Sequence, residues 1–224
     1  MGKDKLKRFA EMKTFPNVFQ PAFKEIFNAS YKLKGQWKST YFKNENPIVL
    51  ELGCGRGEYT VGMAKKYPDK NFIGVDIKGA RIWRGAKTAV EDNMINVGFI
   101  RTKIDFIESF FAKDEVDEIW ITFPDPQLKE AKERKRLSGP MFLKRYANLL
   151  TKEGTINLKT DSRELYDYTY EKVQELKLPL MDSTNNLYET RQLADDDILN
   201  IKTRYELMWL EQGKKICYIR FQLI

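Results

Sequence analysis

Apolar and polar positions change their period repeatedly from residue 47 onward. Ile48-Val-Leu-Glu-Leu52 predicts a strand ending in glycines, and Glu58 to Tyr67 predicts a helix stopped by Pro68. Asn71 to Ile77 predicts the next strand, followed by an amphipathic helix from Gly79 to about Asn93. Strands follow at Val97 to Ile104 and Asp117 to Phe123, with a short helix through Glu108 to Ala112 between them. Met141 to Leu150 predicts a helix, Thr155 to Lys159 a strand and Ser162 to Leu176 a helix. Arg204 to Glu211 has the helical period, Gly213 stops it, and Lys215 to Leu223 alternates as a strand. Such alternation predicts an α/β fold, a largely parallel sheet with helices on both faces. Ligands of such sheets bind beyond the carboxyl ends of the strands. The pattern places one domain at residues 41–224, after an extension at 1–40.

Charge makes that extension distinct. Of the 39 Lys+Arg and 32 Asp+Glu, residues 1–38 hold nine bases and three acids, so the rest of the chain is close to neutral. A basic arm suits a polyanion, because Lys and Arg displace condensed counterions from phosphates, although a solubilising tail has the same composition. Its rings at Phe15, Phe19, Phe23, Phe27 and Tyr31 repeat every four residues, but Pro16 and Pro21 break a continuous helix. Packing of most of these rings against the body is the expectation.

Composition also removes chemistries. The chain has no His and two cysteines, Cys54 and Cys217, which excludes imidazole bases and leaves no Cys-rich metal site or disulfide framework. No metal is expected. The basic start lacks the apolar stretch of a signal peptide, and the densest apolar run, Ile119 to Phe123, is far too short for a membrane span. A cytoplasmic protein is the expectation.

After the first predicted strand comes Glu51-Leu-Gly53-Cys-Gly55-Arg-Gly57. Glycines between strand and helix let a ligand approach the backbone. A dinucleotide loop would need glycine where Glu58 stands, and a carboxylate at a helix start opposes a diphosphate, which disfavours a nucleotide-dependent oxidoreductase. S-adenosylmethionine, a cation without phosphates, fits better. Asp76 at the end of the second strand can accept both ribose hydroxyls. Asp105 can accept from the adenine amine while Phe106 packs nearby, and Glu51 can meet the methionine end directly or through water.

The fourth strand runs into Phe123-Pro-Asp-Pro126, in which two prolines stiffen the turn around Asp125 where donor and acceptor must meet. A basic cluster follows: Lys129, Lys132, Arg134, Lys135 and Arg136. The fifth strand ends in Thr160-Asp161, and Thr203-Arg-Tyr-Glu206 opens the last helix. With the glycine motif, these segments in this order resemble the bacterial tRNA guanine-N7 methyltransferase family over about residues 45–224. The resemblance implies a Rossmann-like class I methyltransferase fold with a mostly parallel seven-stranded sheet. It implies methylation of guanine N7 at position 46 of the tRNA variable loop. It also implies that Glu51, Gly53, Gly55, Asp76, Asp105, Phe106 and Asp125 hold the methyl donor, Asp125 being catalytic as well. Lys129, Asp161, Thr203, Arg204, Tyr205 and Glu206 would hold the substrate, and Lys132, Arg134, Lys135 and Arg136 would contact RNA. Gln127 and Leu128 depart from the Trp and Pro usual in the family.

Guanine N7 carries a free lone pair, so transfer to it needs neither a general base nor a covalent nucleophile, only alignment. A His-free chain is compatible with that. Asp125 with Asp161 or Glu206 could accept from guanine N1–H and the 2-amino group, which adenine cannot satisfy. Two other readings stay open at this point: a methyltransferase acting on an exocyclic base amine, and a non-catalytic RNA-binding protein on the same fold. A monomer and a homodimer are equally compatible.

Overall fold

The computed structural model describes residues 2–195 and 197–223. The chain forms two compact units, Met1–Ala112 and Lys113–Ile224.

The first unit contains α1 (Gly2–Met12), β1 (Val18–Phe19), β2 (Ile48–Leu52), α2 (Glu58–Lys66), β3 (Asn71–Asp76), α3 (Gly79–Glu91) and β4 (Val97–Arg101). Its strands lie in the order β1-β4-β3-β2, every pair parallel, with Leu50 opposite Ile73 and Ile73 opposite Gly98. All five residues of β2 are buried, four of them apolar as a strand covered on both faces requires, the fifth being Glu51.

The extension is built into this unit. Helix α1, not foreseen in the pattern, precedes the ring series and docks on α3. Glu11 accepts from Trp83 Nε1 at 2.6 Å and pairs with Lys87 at 2.8 Å, while Arg8 lies 4.7 Å over the Trp83 ring. Trp37 is fully buried, donates to the Phe110 carbonyl at 2.8 Å and stacks on Phe111 at 5.5 Å. Phe19 meets Trp37 and Tyr41 edge-on at 4.9 and 4.8 Å. The rings therefore pack as expected, except that Phe23 and Phe27 stack on each other and stay more than half exposed.

The parallel β3–β4 ladder closes where Thr102 N donates to the Asp76 carbonyl at 3.1 Å. The predicted helix at 108–112 is replaced by a 3-10 segment, Ile104–Ser109, with a break at Phe106.

The second unit contains β5 (Val116–Thr122), α4 (Pro140–Ala147), β6 (Leu150–Thr160), α5 (Arg163–Glu175), β7 (Leu180–Thr184), α6 (Leu187–Thr190), α7 (Arg204–Glu211) and β8 (Cys217–Gln222). The order is β5-β6-β8-β7; β5 and β6 are parallel, and β8 runs antiparallel to both neighbours. Among the described residues there are eight strands where the resemblance implies seven. The additions to the pattern are β1, two residues long, and β7, whose Leu180-Met-Asp-Ser-Thr lacks a clean alternation. Helix α4 is shorter than predicted, since Leu150 already belongs to the eleven-residue β6. No helix among the described residues is long and apolar enough to cross a membrane.

Candidate active site

In the first unit, the candidate donor residues follow β2, β3 and β4. Gly53, Gly55 and Gly57 have φ of 82°, 54° and 69°, the left-handed region where side chains are strained. A Cβ on Gly53 would meet nothing within 4 Å and one on Gly55 only the Gly53 carbonyl, so these two present bare backbone to open space. At Gly57 the reason is packing: a Cβ would lie 2.7 Å from the Phe99 ring.

Asp76 braces this loop. One oxygen accepts from Gly55 N at 3.0 Å and the other from Lys78 N at 2.7 Å. Glu51 is 1% exposed, and its Oε2 accepts from the backbone N–H of Thr60 at 2.8 Å and from the Thr60 hydroxyl. Asp105 is exposed at the start of the 3-10 segment. The adjoining Phe106 lines a cavity of about 290 Å³ with Ile77, Thr102, Phe23 and Ile26. The Thr102 hydroxyl is buried there without a hydrogen-bond partner among the described residues. Phe23 meets Phe106 edge-on at 5.5 Å, a wall that the sequence pattern did not indicate.

In the second unit, β5 leads into Phe123-Pro-Asp-Pro126. Phe123 and Gln127, at either side of that turn, both have positive φ, 48° and 49°. A left-handed bulky residue before proline costs energy and persists only where its surroundings impose it; here Phe123 N donates to the Lys159 carbonyl at 2.8 Å. Asp125 is exposed at the crest and accepts weakly from Gln127 N at 3.4 Å.

The basic segment is a 3-10 helix, Glu130–Lys135, with Lys129, Lys132, Arg134 and Lys135 exposed. Arg136 holds the loop itself: it donates to the carbonyls of Gln127 and Leu128 at 3.1 Å each and lies 4.2 Å over the Tyr168 ring.

At the end of β6, Ser162 caps α5 by accepting from Leu165 N at 3.2 Å. Asp161, the residue before that cap, pairs with Lys214 at 2.9 Å. Thr203 caps α7, accepting from Glu206 N at 3.1 Å. Arg204 is exposed and Tyr205 is 44% exposed, whereas Glu206 is fully buried. Its carboxylate pairs with Lys159 at 2.8 Å and accepts from the Tyr188 hydroxyl at 2.5 Å. Glu206 is therefore an interior anion, not a surface group.

Lys159 and Tyr188 escaped the sequence reading. The available signal was a lysine near the end of an otherwise buried strand, a placement that demands a partner. Burial pushes the Lys159 ammonium toward deprotonation, and the Glu206 carboxylate opposes that. Burial also raises the Cys54 thiol well above its ordinary value and Cys217 to about 11, so neither supplies a thiolate nucleophile near neutral pH. Among the described residues, no group of three or more His, Cys, Asp or Glu is placed to hold a metal ion.

Comparison with known proteins identifies the family. A family model described as a putative methyltransferase matches residues 45–219. The tRNA (guanine-N(7)-)-methyltransferase of Bacteroides fragilis (strain YCH46) is 51% identical over 100% of this chain and 87% of its own. That of Christiangramia forsetii is 50% identical over 99% of both. Among solved structures, a 16S rRNA (adenine(1408)-N(1))-methyltransferase with cosubstrate SAM from Catenulisporales acidiphilia matches in fold. Its TM-score is 0.56, at 12% identity, over 85% of this chain and 90% of that one. Half the residues shared along essentially the whole length put this chain in the tRNA (guanine-N(7)-)-methyltransferase family.

Proposed function

We propose that the protein methylates N7 of a guanine in tRNA, at variable-loop position 46, using S-adenosylmethionine in the cytoplasm. The observation that carries this reading is the position of the acids. Glu51 and Asp76 end β2 and β3, Asp125 follows β5 and Asp161 follows β6, all at the carboxyl ends of parallel strands.

The first unit fits the donor. Gly53 and Gly55 leave backbone open, and Asp76 stands over the loop where a ribose diol could replace its present N–H partners. The cavity beside Phe106, with the unpartnered Thr102 hydroxyl, suits a flat base such as adenine, with Asp105 close by in sequence. Glu51 holds the start of α2 and acts on the methionine end through that helix or through water. Bound there, S-adenosylmethionine supplies a sulfonium methyl that a guanine N7 lone pair can take directly, with no proton to remove.

The second unit fits the acceptor. The strained Phe123–Gln127 turn fixes Asp125, which is the catalytic residue in the sense of orienting the reacting partners. Lys129 with Lys132, Arg134 and Lys135 meets phosphates, while Arg136 keeps their loop in place. Asp161, released from Lys214, can accept from guanine N1–H and the 2-amino group; Thr203, Arg204 and Tyr205, at the start of α7, belong to the same substrate side of the second unit. The chemistry needs no metal, because N7 is already nucleophilic.

The experiment is incubation with methyl-labelled S-adenosylmethionine and an unmodified tRNA transcript, followed by nucleoside analysis. Label is expected in 7-methylguanosine and is expected to vanish when the variable-loop guanine is replaced. Label in a methylated exocyclic amine instead would move the acceptor to another base position.

A further inference from the structure

We propose that Lys159 and Tyr188 are positioning residues for the acceptor side, holding Thr203, Arg204 and Tyr205 in place through the buried Glu206 carboxylate. The inference rests on reading segment 203–206 as part of the tRNA site.

Lys159 has three N–H donors and no exposed surface. They go to the carbonyls of Leu199 at 2.7 Å and Ile201 at 3.2 Å and to the Glu206 carboxylate, with the Tyr188 hydroxyl 3.4 Å away. Lys159 reaches both oxygens of that carboxylate, and Tyr188 donates to Oε1, the nearer of the two. Glu206 in turn donates its backbone N–H to Thr203 and so closes the first turn of α7. One ammonium therefore ties three points of an eight-residue segment to the end of β6. Asp161 follows that strand directly, two residues after Lys159.

Stability alone would not demand this arrangement, since apolar residues of similar volume commonly replace a buried ion pair without loss. The pair supplies direction. Two carbonyls and a carboxylate converging on one nitrogen admit a single path for residues 199–206, whereas an apolar plug would admit several. Arg204 and Tyr205, the exposed groups of the turn, inherit that fixed path. A guanidinium suits a phosphate and a phenol ring suits a base face, and both need placement to act. Glu206 discriminates nothing directly, having no surface to offer.

The test is the double variant Lys159→Met/Glu206→Leu, which removes both charges together, with Tyr188→Phe as its milder companion. Unmodified tRNA transcript is the substrate; kcat, tRNA KM, donor Kd and melting temperature are measured. The double variant is expected to melt no lower than wild type, raise tRNA KM about tenfold and leave kcat and donor Kd within about twofold. Tyr188→Phe is expected to raise tRNA KM about two- to threefold. A folded double variant with wild-type tRNA KM overturns the proposal. So does a parallel loss of donor affinity, which would mean general loosening. Should the double variant not fold, an unchanged KM in Tyr188→Phe overturns it. A wild-type protein that forms no 7-methylguanosine would instead overturn the functional reading beneath it.

Discussion

Each unit buries one glutamate almost completely, Glu51 in the first and Glu206 in the second, and they are neutralised by different means. Glu51 accepts from the backbone and hydroxyl of Thr60, nine residues away. Glu206 takes a full counter-charge from Lys159, 47 residues away. Two half-buried acids beside the candidate sites differ in the same way. Asp76 is held by the backbone N–H groups of Gly55 and Lys78, and Asp161 by the Lys214 ammonium. Around these four acids the first unit supplies main-chain and hydroxyl donors and the second supplies ammonium groups; away from the candidate site, Glu11 of the first unit also takes a counter-charge, from Lys87. Backbone donors create a fixed, weakly salt-sensitive cradle, whereas ammonium partners can be exchanged for the charges of a ligand.

Removing one partner from each glutamate should separate the two means most strongly. Lys159→Met leaves Glu206 buried without its counter-charge and should cost about 3–5 kcal/mol in urea denaturation. Thr60→Val takes the hydroxyl from Glu51 but leaves the backbone donor, and should cost about 1–3 kcal/mol. Equal losses would erase the distinction.

The next effect divides binding from turnover. Asp125→Ala should lower kcat about 10²-fold or more, because the reacting partners lose their alignment, while the fold is kept. Asp76→Asn should weaken donor binding about ten- to hundredfold by calorimetry, since a charge-assisted acceptor is lost from the loop. Substantial residual turnover in Asp125→Ala would remove that residue from the catalytic role.

The basic arm sharpens the comparison further. Deleting 1–38 whole, which on charge alone should leave donor binding intact, would strip buried Met12, Tyr31, Leu33 and Trp37 from the core and unfold the first unit. Deleting residues 1–13 removes five bases, Lys3, Lys5, Lys7, Arg8 and Lys13, with less of the core. It should weaken tRNA binding and reduce the slope of log K against log salt by up to about 4.5. An unchanged slope would make the arm a structural brace only.

These contrasts also explain what could be read before the fold was known. The glycine loop, its acids and the order of strands and helices were legible because local spacing dictates them: Gly53 and Gly55 sit where left-handed backbone is needed, and β2 is apolar but for Glu51. The Lys159–Glu206 pair was not legible, because neither residue carries a local sign of the other across 47 positions. The N-cap of α5 illustrates a finer limit. Asp161 and Ser162 are both good caps by composition, and only the geometry assigns Ser162. Helix α1 was missed for a related reason: its docking face is completed by Trp83 and Lys87 on α3.

That docking gives the smallest effect. The Glu11 carboxyl lies below its ordinary pKa, chiefly through its hydrogen bond to Lys87 and then that to Trp83. A carboxyl depressed in the folded state contributes stability that is present above its unfolded value. That contribution is lost as pH falls through the folded value. The seating of α1 on α3 should therefore loosen only on acidification, below about pH 4, where an ordinary glutamate protonates. The Trp83 indole N–H resonance reports it directly, because that proton is donated to Glu11. It should hold its position from neutral pH downward and then shift toward the solvated value. In Glu11→Gln the titration should disappear. A Trp83 resonance that titrates in Glu11→Gln as it does in wild type would assign the acid response to another group and leave the α1–α3 contact without an electrostatic component.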